Sequence, residues 1–390
     1  MTIVVVTGLG VISAAGRGVD SLHAAMKANV SCIRPLSVLS PGNCGGHLAG
    51  EIPATVWAGP PQSRCMDITR LAAGEALESA MIDKRDRMHL GVFLGTAGEM
   101  RYFESELLAE FEGRVPVTEA ILSAASWITS RLADHYGLSG AQFTYQNACS
   151  AGASAIAQAM AFIRAGAIDV ALAGGSEVIS NLNLSGFQAI RALSRRGCFP
   201  FDVDRDGVVL GEGAAFLVLE SASRAKARGA VAIAEVRGAG FSCDAFHRTR
   251  PHPEGLGATL AIRRALADGG LAPDDIDYIN AHGTGTKLND AIELRAIRAA
   301  IGERCLSIPI SSLKGLTGHC VSASGAIEAV ACCLALRDGF LPASTGLRQE
   351  EREFEGWYLL RQPETGRVKY ALSNSFAFGG NNVSLIFAQA

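Results

Sequence analysis

No apolar run in this 390-residue chain is long enough to cross a bilayer, so a membrane-spanning helix is excluded from the start. The N-terminus enters a strand without a basic region or a cleavage site, and a cytoplasmic location is the expectation. Neither sign of charge dominates: 35 Lys and Arg stand against 38 Asp and Glu, a net charge of −3. A whole-molecule basic field is missing, and with it any support for nucleic-acid binding. The ten cysteines, at 32, 44, 65, 149, 198, 243, 305, 320, 332 and 333, include no CxxC pair and no cluster with histidine. Zinc and a disulfide framework are therefore not indicated. Cys332 and Cys333 lie side by side in an apolar helical stretch, where a thiol acts as a small hydrophobe.

What is abundant is glycine, 44 residues, beside 48% hydrophobic and only 19% charged residues. That composition describes a globular enzyme of two or three domains with a large core. The chain is also written twice. Val6, Gly8 and Gly10 of VTGLG pair with Val236, Gly238 and Gly240 of VRGAG. Gly95-Thr96 parallels Gly283-Thr284, Gly152-Ala153 parallels Gly325-Ala326, and Arg164 parallels Arg337. GEGAAFLVLE, ending at residue 220, is echoed by GGNNVSLIF near the C-terminus. Repeats this long are duplicated domains rather than solenoid units. We place the halves at residues 1–230 and 231–390.

Each half reads as strand, helix, strand, then a strand feeding a helix. Ile3–Val6, Gly91–Leu94, Phe143–Asn147, Asp169–Ala173 and Ala215–Leu219 are strand candidates in the first half, with a helix over Asp67–Ser79. Ala232–Val236, Tyr278–Ala281, Ile308–Ser312, Tyr370–Ser373 and Val383–Phe387 repeat them, with helices over Gly257–Ala267 and Ser322–Leu336. The expected class is α/β, a five-layer α-β-α-β-α sandwich with two mixed sheets. Segments 15–65, 98–135, 180–210 and 240–256 fall outside the repeat and read as insertions that build a pocket mouth and a subunit interface.

Chemistry concentrates where strands run into helices. Cys149 ends a strand and begins a small-residue helix, so helix N-terminal amides are expected to favour its thiolate. His282 stands in a glycine-rich turn after a strand, and His319 in SSLKGLTGH is read at the duplicate of the cysteine's place. A thiol facing two imidazoles is an acyl-transfer set, a nucleophile with two ring N–H donors for an oxyanion. Glu328, inside an alanine-rich helix, needs a partner, and Lys314 is the nearest candidate. The loop Asn374–Asn382, with Gly379 and Gly380, offers a backbone N–H to an oxyanion. Gly8-Leu9-Gly10 is only a partial GxGxxG and carries no dinucleotide reading. Arg191, Arg195 and Arg196, with Phe187 nearby, suit either a solvated loop or the landing patch of an acidic partner.

With NACSAGA, ALAGGSE, FPFDVDRDGVVLGEGAAFLVLE, NAHGTGTKLND, SSLKGLTGH and NSFAFGGNN in order, almost the whole chain resembles the β-ketoacyl-acyl-carrier-protein synthases, in the elongating Cys-His-His subgroup. The resemblance implies a thiolase-like fold, a homodimer or a heterodimer with a chain-length-factor subunit, acyl carrier protein as partner, and no metal or organic cofactor. It implies an acyltransferase that loads an acyl chain on Cys149, with backbone N–H groups of Cys149 and Phe378 as the oxyanion hole. A malonyl group then loses carbon dioxide beside His282 and His319, and the carbanion attacks the acyl-cysteine to give a 3-oxoacyl product. By the same resemblance Lys314 and Glu328 organise the site, Thr284, Thr286 and Asn382 meet the pantetheine arm, and Asp290 supports the His282 turn. Phe187 and Phe378 fall at pocket and gate aromatics, and Arg191 and Arg195 at carrier contacts. Ala377 stands where the family commonly has glycine, Asn381 where it has threonine, Asn147 where it has Thr or Ser, and Lys287 replaces an uncharged residue. These departures, in a short chain, look more like specialised polyene or aryl-polyene synthases than housekeeping fatty-acid enzymes. A non-catalytic partner subunit and a coenzyme A-dependent thiolase are the alternatives; Cys149 speaks against the first and Phe378, where a thiolase has its second cysteine, against the second.

Overall fold

The computed structural model describes residues 2–37, 39, 47–60, 63–101, 104 and 124–390. Most of the 98–135 insertion, one of those expected to build the pocket mouth and a subunit interface, lies outside the described residues. Ten principal strands build the sheet: β1 (Val4–Ser13), β2 (Gly91–Thr96), β3 (Gln142–Tyr145), β4 (Val170–Glu177), β5 (Gly213–Ser221), β6 (Ala234–Cys243), β7 (Tyr278–Asn280), β8 (Ile310–Ser311), β9 (Tyr370–Phe376) and β10 (Asn381–Gln389). The first half is ordered β1-β5-β4-β2-β3 and the second β6-β10-β9-β7-β8, the same path taken twice. In each, the three strands toward the outer edge pair parallel (β3-β2-β4 and β8-β7-β9) and the rest antiparallel. The two mixed sheets are also hydrogen-bonded to each other, through Val5 with Glu235 and Val6 with Ala234 on β1 and β6. Among the described residues, no helix is long and apolar enough to cross a membrane.

Among the helices of the described residues, six concern the site: α1 (Arg64–Ser79), α2 (Ala151–Arg164), α3 (Asn181–Ala189), α4 (Leu256–Gly269), α5 (Lys287–Ile301) and α6 (Ser324–Asp338). Helices α2 and α6 form the central layer. Every residue of α6 from Ser324 to Leu336 is buried, because both of its faces are covered. Small residues let the two helices meet closely: a Cβ on Gly325 would lie 2.9 Å from that of Ala153, and one on Gly152 would lie 2.8 Å from the Ser322 carbonyl. Around this seam, Ile156, Met160, Ile327, Val330 and Leu334 join Val6, Val11, Leu217 and Leu385 from the strands in the largest apolar cluster. Separate clusters lie under α1 on the outer face of one half and under α4 and α5 on the other.

The duplicated glycines of VTGLG and VRGAG have a packing role. A Cβ on Gly10 would stand 2.0 Å from the Ala72 carbonyl of α1, and one on Gly240 would stand 2.0 Å from the Ala261 carbonyl of α4. Only glycine lets each outer helix lie against its strand this closely. Helix α5 was not among the expected elements. Thr286 caps it, its side chain accepting from the Asn289 N–H, and Ile292, Ala296, Ile297 and Ala300 form its buried face.

Candidate active site

Between β3 and α2 the chain makes a tight turn, Ala148–Ser150, that presents Cys149 at the helix entrance. Ala148 sits at φ 52°, a left-handed conformation that costs energy for a residue with a Cβ. The second half repeats the device at Val321–Ala323, with Val321 at φ 40°. The register that matches Gly152 with Gly325 therefore puts Ser322 at the duplicate of Cys149. His319 lies three residues upstream of that place, which corrects the expectation that thiol and imidazole occupy matching positions. Its backbone is clamped by the first half: the His319 N–H donates to the Val209 carbonyl at 2.7 Å, and its carbonyl accepts from the Gly211 N–H at 2.9 Å. The GVVLGEG run thus acts as the shelf on which His319 rests.

The structure brings the thiol and both histidines together. His319 Nε2 is 3.0 Å from Cys149 Sγ, and Ser324 Oγ is 2.8 Å from its Nδ1. The rings of His282 and His319 stand edge to face with centroids 5.4 Å apart. The backbone N–H groups of Phe378 and of Cys149 itself are directed at the sulfur. Burial lowers both histidines well below the usual imidazole range, with nearby Lys314 adding to the shift, so the rings are neutral. Burial also pushes the Cys149 thiol up to about 12, despite Lys314 and the two N–H groups. The expected ready-made thiolate is therefore corrected: with only 3% of its surface exposed, desolvation outweighs Lys314 and the two backbone N–H groups, and the sulfur holds its proton.

Lys314 and Glu328 form a buried ion pair, Nζ to Oε1 2.5 Å, with side chains 1% and 2% exposed. Burial pushes the Glu328 carboxyl up to about 7 against the pull of Lys314. Asp290 does support the turn after His282: its Oδ1 accepts from the N–H groups of Thr284 and Gly285 at 3.0 and 3.2 Å. The hold on His282 itself comes from Glu293, unnoticed in the sequence, whose two oxygens accept from the His282 and Gly283 N–H groups at 2.7 and 2.8 Å. Both carboxylates sit on α5, so finding that capped, periodic helix was the missing signal. Glu177, at the end of β4, was also missed; burial pushes its carboxyl up to about 7, while Ser322 of the Val321 turn and the backbone of Val178 and Ala97 pull it down.

A cavity of about 430 Å³ opens onto this cluster, lined by Cys149, His282, His319, Thr284, Thr286 and Phe376 on its inner part. Phe187 of α3 and Phe378 face each other across it with ring centroids 5.4 Å apart. Thr284 and Thr286 share a hydroxyl hydrogen bond of 2.9 Å. Asn382 Nδ2 donates to Asp244 Oδ1 at 2.9 Å, and both residues line the cavity. Arg191, exposed and at φ 56°, lies at the mouth with Arg250 and Lys287. Arg195 is exposed but is not among the lining residues. Arg196 pairs instead with Asp206 at 3.0 Å. Ala377 adopts an ordinary extended backbone, φ −122°, while Gly379 and Gly380 take φ 81° and 77°, so alanine meets no strain at its place.

A thiol, a neutral base in contact with it, backbone donors at the sulfur and a narrow cleft define an acyl-transfer site. Residues 1–225 match the family described as "Beta-ketoacyl synthase, N-terminal domain", and residues 233–348 match "Beta-ketoacyl synthase, C-terminal domain". The chain is 36% identical over 399 residues to nodulation protein E of Rhizobium meliloti (strain 1021), covering 99% of each. It is 36% identical over 404 residues to 3-oxoacyl-[acyl-carrier-protein] synthase 2 of Synechocystis sp. (strain ATCC 27184 / PCC 6803 / Kazusa), covering 98% of this chain and 97% of that one. Among solved structures, it is similar to the type II polyketide ketosynthase of the AntDE:AntF acyl-carrier-protein complex, at TM-score 0.92, 29% identity and coverage of 100% and 99%. It is similar also to the ishigamide ketosynthase/chain length factor, at TM-score 0.91, 32% identity and the same coverage. The chain belongs to the β-ketoacyl synthase family. It is an acyltransferase with the thiolase-like fold, and its function is that of a β-ketoacyl-acyl-carrier-protein synthase in fatty-acid or polyketide synthesis.

Proposed function

We propose that Cys149 carries the growing acyl chain and that the two histidines serve both half-reactions. In the first, His319 Nε2 takes the thiol proton across the 3.0 Å contact, and Sγ attacks the thioester carbonyl of the donor. The oxyanion is held by the N–H groups of Cys149 and Phe378; the arm thiolate leaves and recovers the proton. In the second, a malonyl thioester loses carbon dioxide, and its bonding electrons pass to the thioester oxygen as an enolate facing N–H donors from His282 and His319. The enolate carbon attacks the acyl carbonyl on Cys149, the carbon–sulfur bond breaks, and the cysteine thiolate takes from solvent the one proton that the overall condensation consumes. The product is a 3-oxoacyl thioester two carbons longer. Lys314 and Glu328 organise the floor beneath both rings, and Asp290 supports the His282 turn.

The two substrates arrive on acyl carrier protein in this reading. Thr284, Thr286 and Asn382 bind its pantetheine arm, Phe187 and Phe378 gate the cavity, and Arg191 and Arg195 meet its acidic surface. The chemistry uses side chains and backbone N–H groups and calls for no metal or organic cofactor. A second ketosynthase-like subunit, identical or of the chain-length-factor kind, completes the enzyme in the cytoplasm. The departures at Asn147, Lys287, Ala377 and Asn381 favour a polyene or aryl-polyene pathway.

The contact between His319 Nε2 and Cys149 Sγ carries the proposal, since it joins a base and a nucleophile from opposite halves of the chain. The test is mass spectrometry of the protein after incubation with a panel of acyl carrier proteins, followed by malonyl carrier protein. An acyl mass on the Cys149 peptide, released as the 3-oxoacyl carrier on adding malonyl carrier, is the expected result. Condensation that survives Cys149→Ala would overturn it.

A further inference from the structure

The two histidines differ in what stands behind them. His282 Nδ1 is buried without a hydrogen-bond partner, whereas His319 Nδ1 has Ser324 Oγ at 2.8 Å. Ser324 opens α6, on the helix whose entrance turn is the twin of the cysteine turn, and it is only 4% exposed. Its hydroxyl can donate or accept by rotating about a single bond, which neither a backbone N–H nor a carbonyl can do.

That freedom matters because the two half-reactions ask opposite things of one nitrogen. To accept the Cys149 proton, Nε2 must be bare; a neutral ring then carries its proton on Nδ1, which must donate to an oxygen. To donate to the enolate, Nε2 must hold a proton; Nδ1 is then bare and must accept. A ring held neutral by burial cannot hold protons on both nitrogens at rest, so the tautomer is a real choice here. A partner of fixed polarity would support one step and oppose the other. We propose that Ser324 is a positioning residue that sustains both tautomers of His319, its hydroxyl accepting from Nδ1–H before acylation and donating to Nδ1 during condensation. Exchange between the two places one proton on Nε2 and removes one from Nδ1, with no change in charge. The inference rests on the functional reading above and deepens it.

The test compares Ser324→Ala and Ser324→Thr with the parent enzyme by two separate measurements. Loading of Cys149 from acyl carrier protein, and carbon dioxide release from malonyl carrier protein by the acylated enzyme, are timed independently. An unsatisfied buried nitrogen costs about 1–3 kcal/mol, which converts to a loss of about 5- to 150-fold in each step for Ser324→Ala. Ser324→Thr, which keeps the hydroxyl, is expected within about fivefold of the parent, and Tm of both within about 4 °C, since the main packing is untouched. Nitrogen-15 spectra of histidine-labelled protein read the His319 tautomer directly, and Ser324→Ala is expected to change the Nδ1 and Nε2 shifts. Rates within twofold of the parent for Ser324→Ala, or unchanged His319 shifts, would overturn the proposal. A parent that neither loads Cys149 nor releases carbon dioxide would instead sink the functional reading, while the nitrogen spectra would still decide the role of Ser324.

Discussion

Replacing Glu328 by alanine leaves the Lys314 ammonium, 1% exposed, without the carboxylate 2.5 Å away that neutralises it. Removing one partner of a buried pair costs about 3–5 kcal/mol, because the remaining charge has lost both its solvent and its counter-ion. At about 2.1 cal/mol/K of unfolding entropy per residue, the 390-residue chain shifts by about 4–6 °C in Tm for that loss. The double replacement Lys314→Met with Glu328→Leu removes both charges and refills the volume, a change that in buried pairs is often neutral or stabilising by about 1–4 kcal/mol. Differential scanning fluorimetry should therefore show Tm falling in the single variant and recovering in the double one. Condensation should stay low in both, because the lysine beside His282 and His319 either faces an altered field or is gone. A single variant within 1 °C of the parent, or a double variant as unstable as the single, would refute the claim that an uncompensated charge is the cause.

Two further outcomes can be checked. Burial pushes Glu99, Glu177, Glu293 and Glu328 each up to about 7, so the folded chain holds their protons more tightly than the unfolded chain, and stability is lost as pH rises through that value. The lowered histidines act in the opposite sense only below about 6.5, so Tm should fall between pH 6.5 and 8; a Tm that rises across that interval would contradict the burial argument. Charge reversal at the mouth, Arg191→Glu with Arg250→Glu, should raise KM for carrier-bound substrate by about tenfold and leave kcat within about twofold, the signature of lost uniform binding. Steady-state kinetics at two salt concentrations check this, and a fall in kcat at unchanged KM would count against a docking role.

Much of the site was legible because chemistry and punctuation coincide in the chain. A cysteine between a strand and a run of alanines, a histidine in a glycine turn, and a second histidine before a matching small-residue helix are each local patterns. The internal repeat then says that these patterns share one framework. Glu293 and Glu177 escaped because nothing local marks a carboxylate that serves another segment's backbone. Each is seen only when α5 or β4 is laid beside the turn it holds. The offset between Cys149 and His319 was already contained in the pairing of Gly152 with Gly325, which sets Ser322 opposite Cys149, and the paired left-handed residues Ala148 and Val321 bear that register out.

Residue order alone thus determined the duplication, the α/β class, the family, and which thiol and which imidazoles the fold brings together. Tertiary structure decided the electrostatic state of those groups. Cys149 lies where the N-terminal end of a helix should ease ionisation, yet it is buried, and taking a charge out of water outweighs what Lys314 and the backbone N–H groups of Phe378 and Cys149 return. Burial is a property of everything packed around a residue, from both halves at once, so only the folded chain could show that the sulfur lies buried against His319 and holds its proton more tightly than a free thiol.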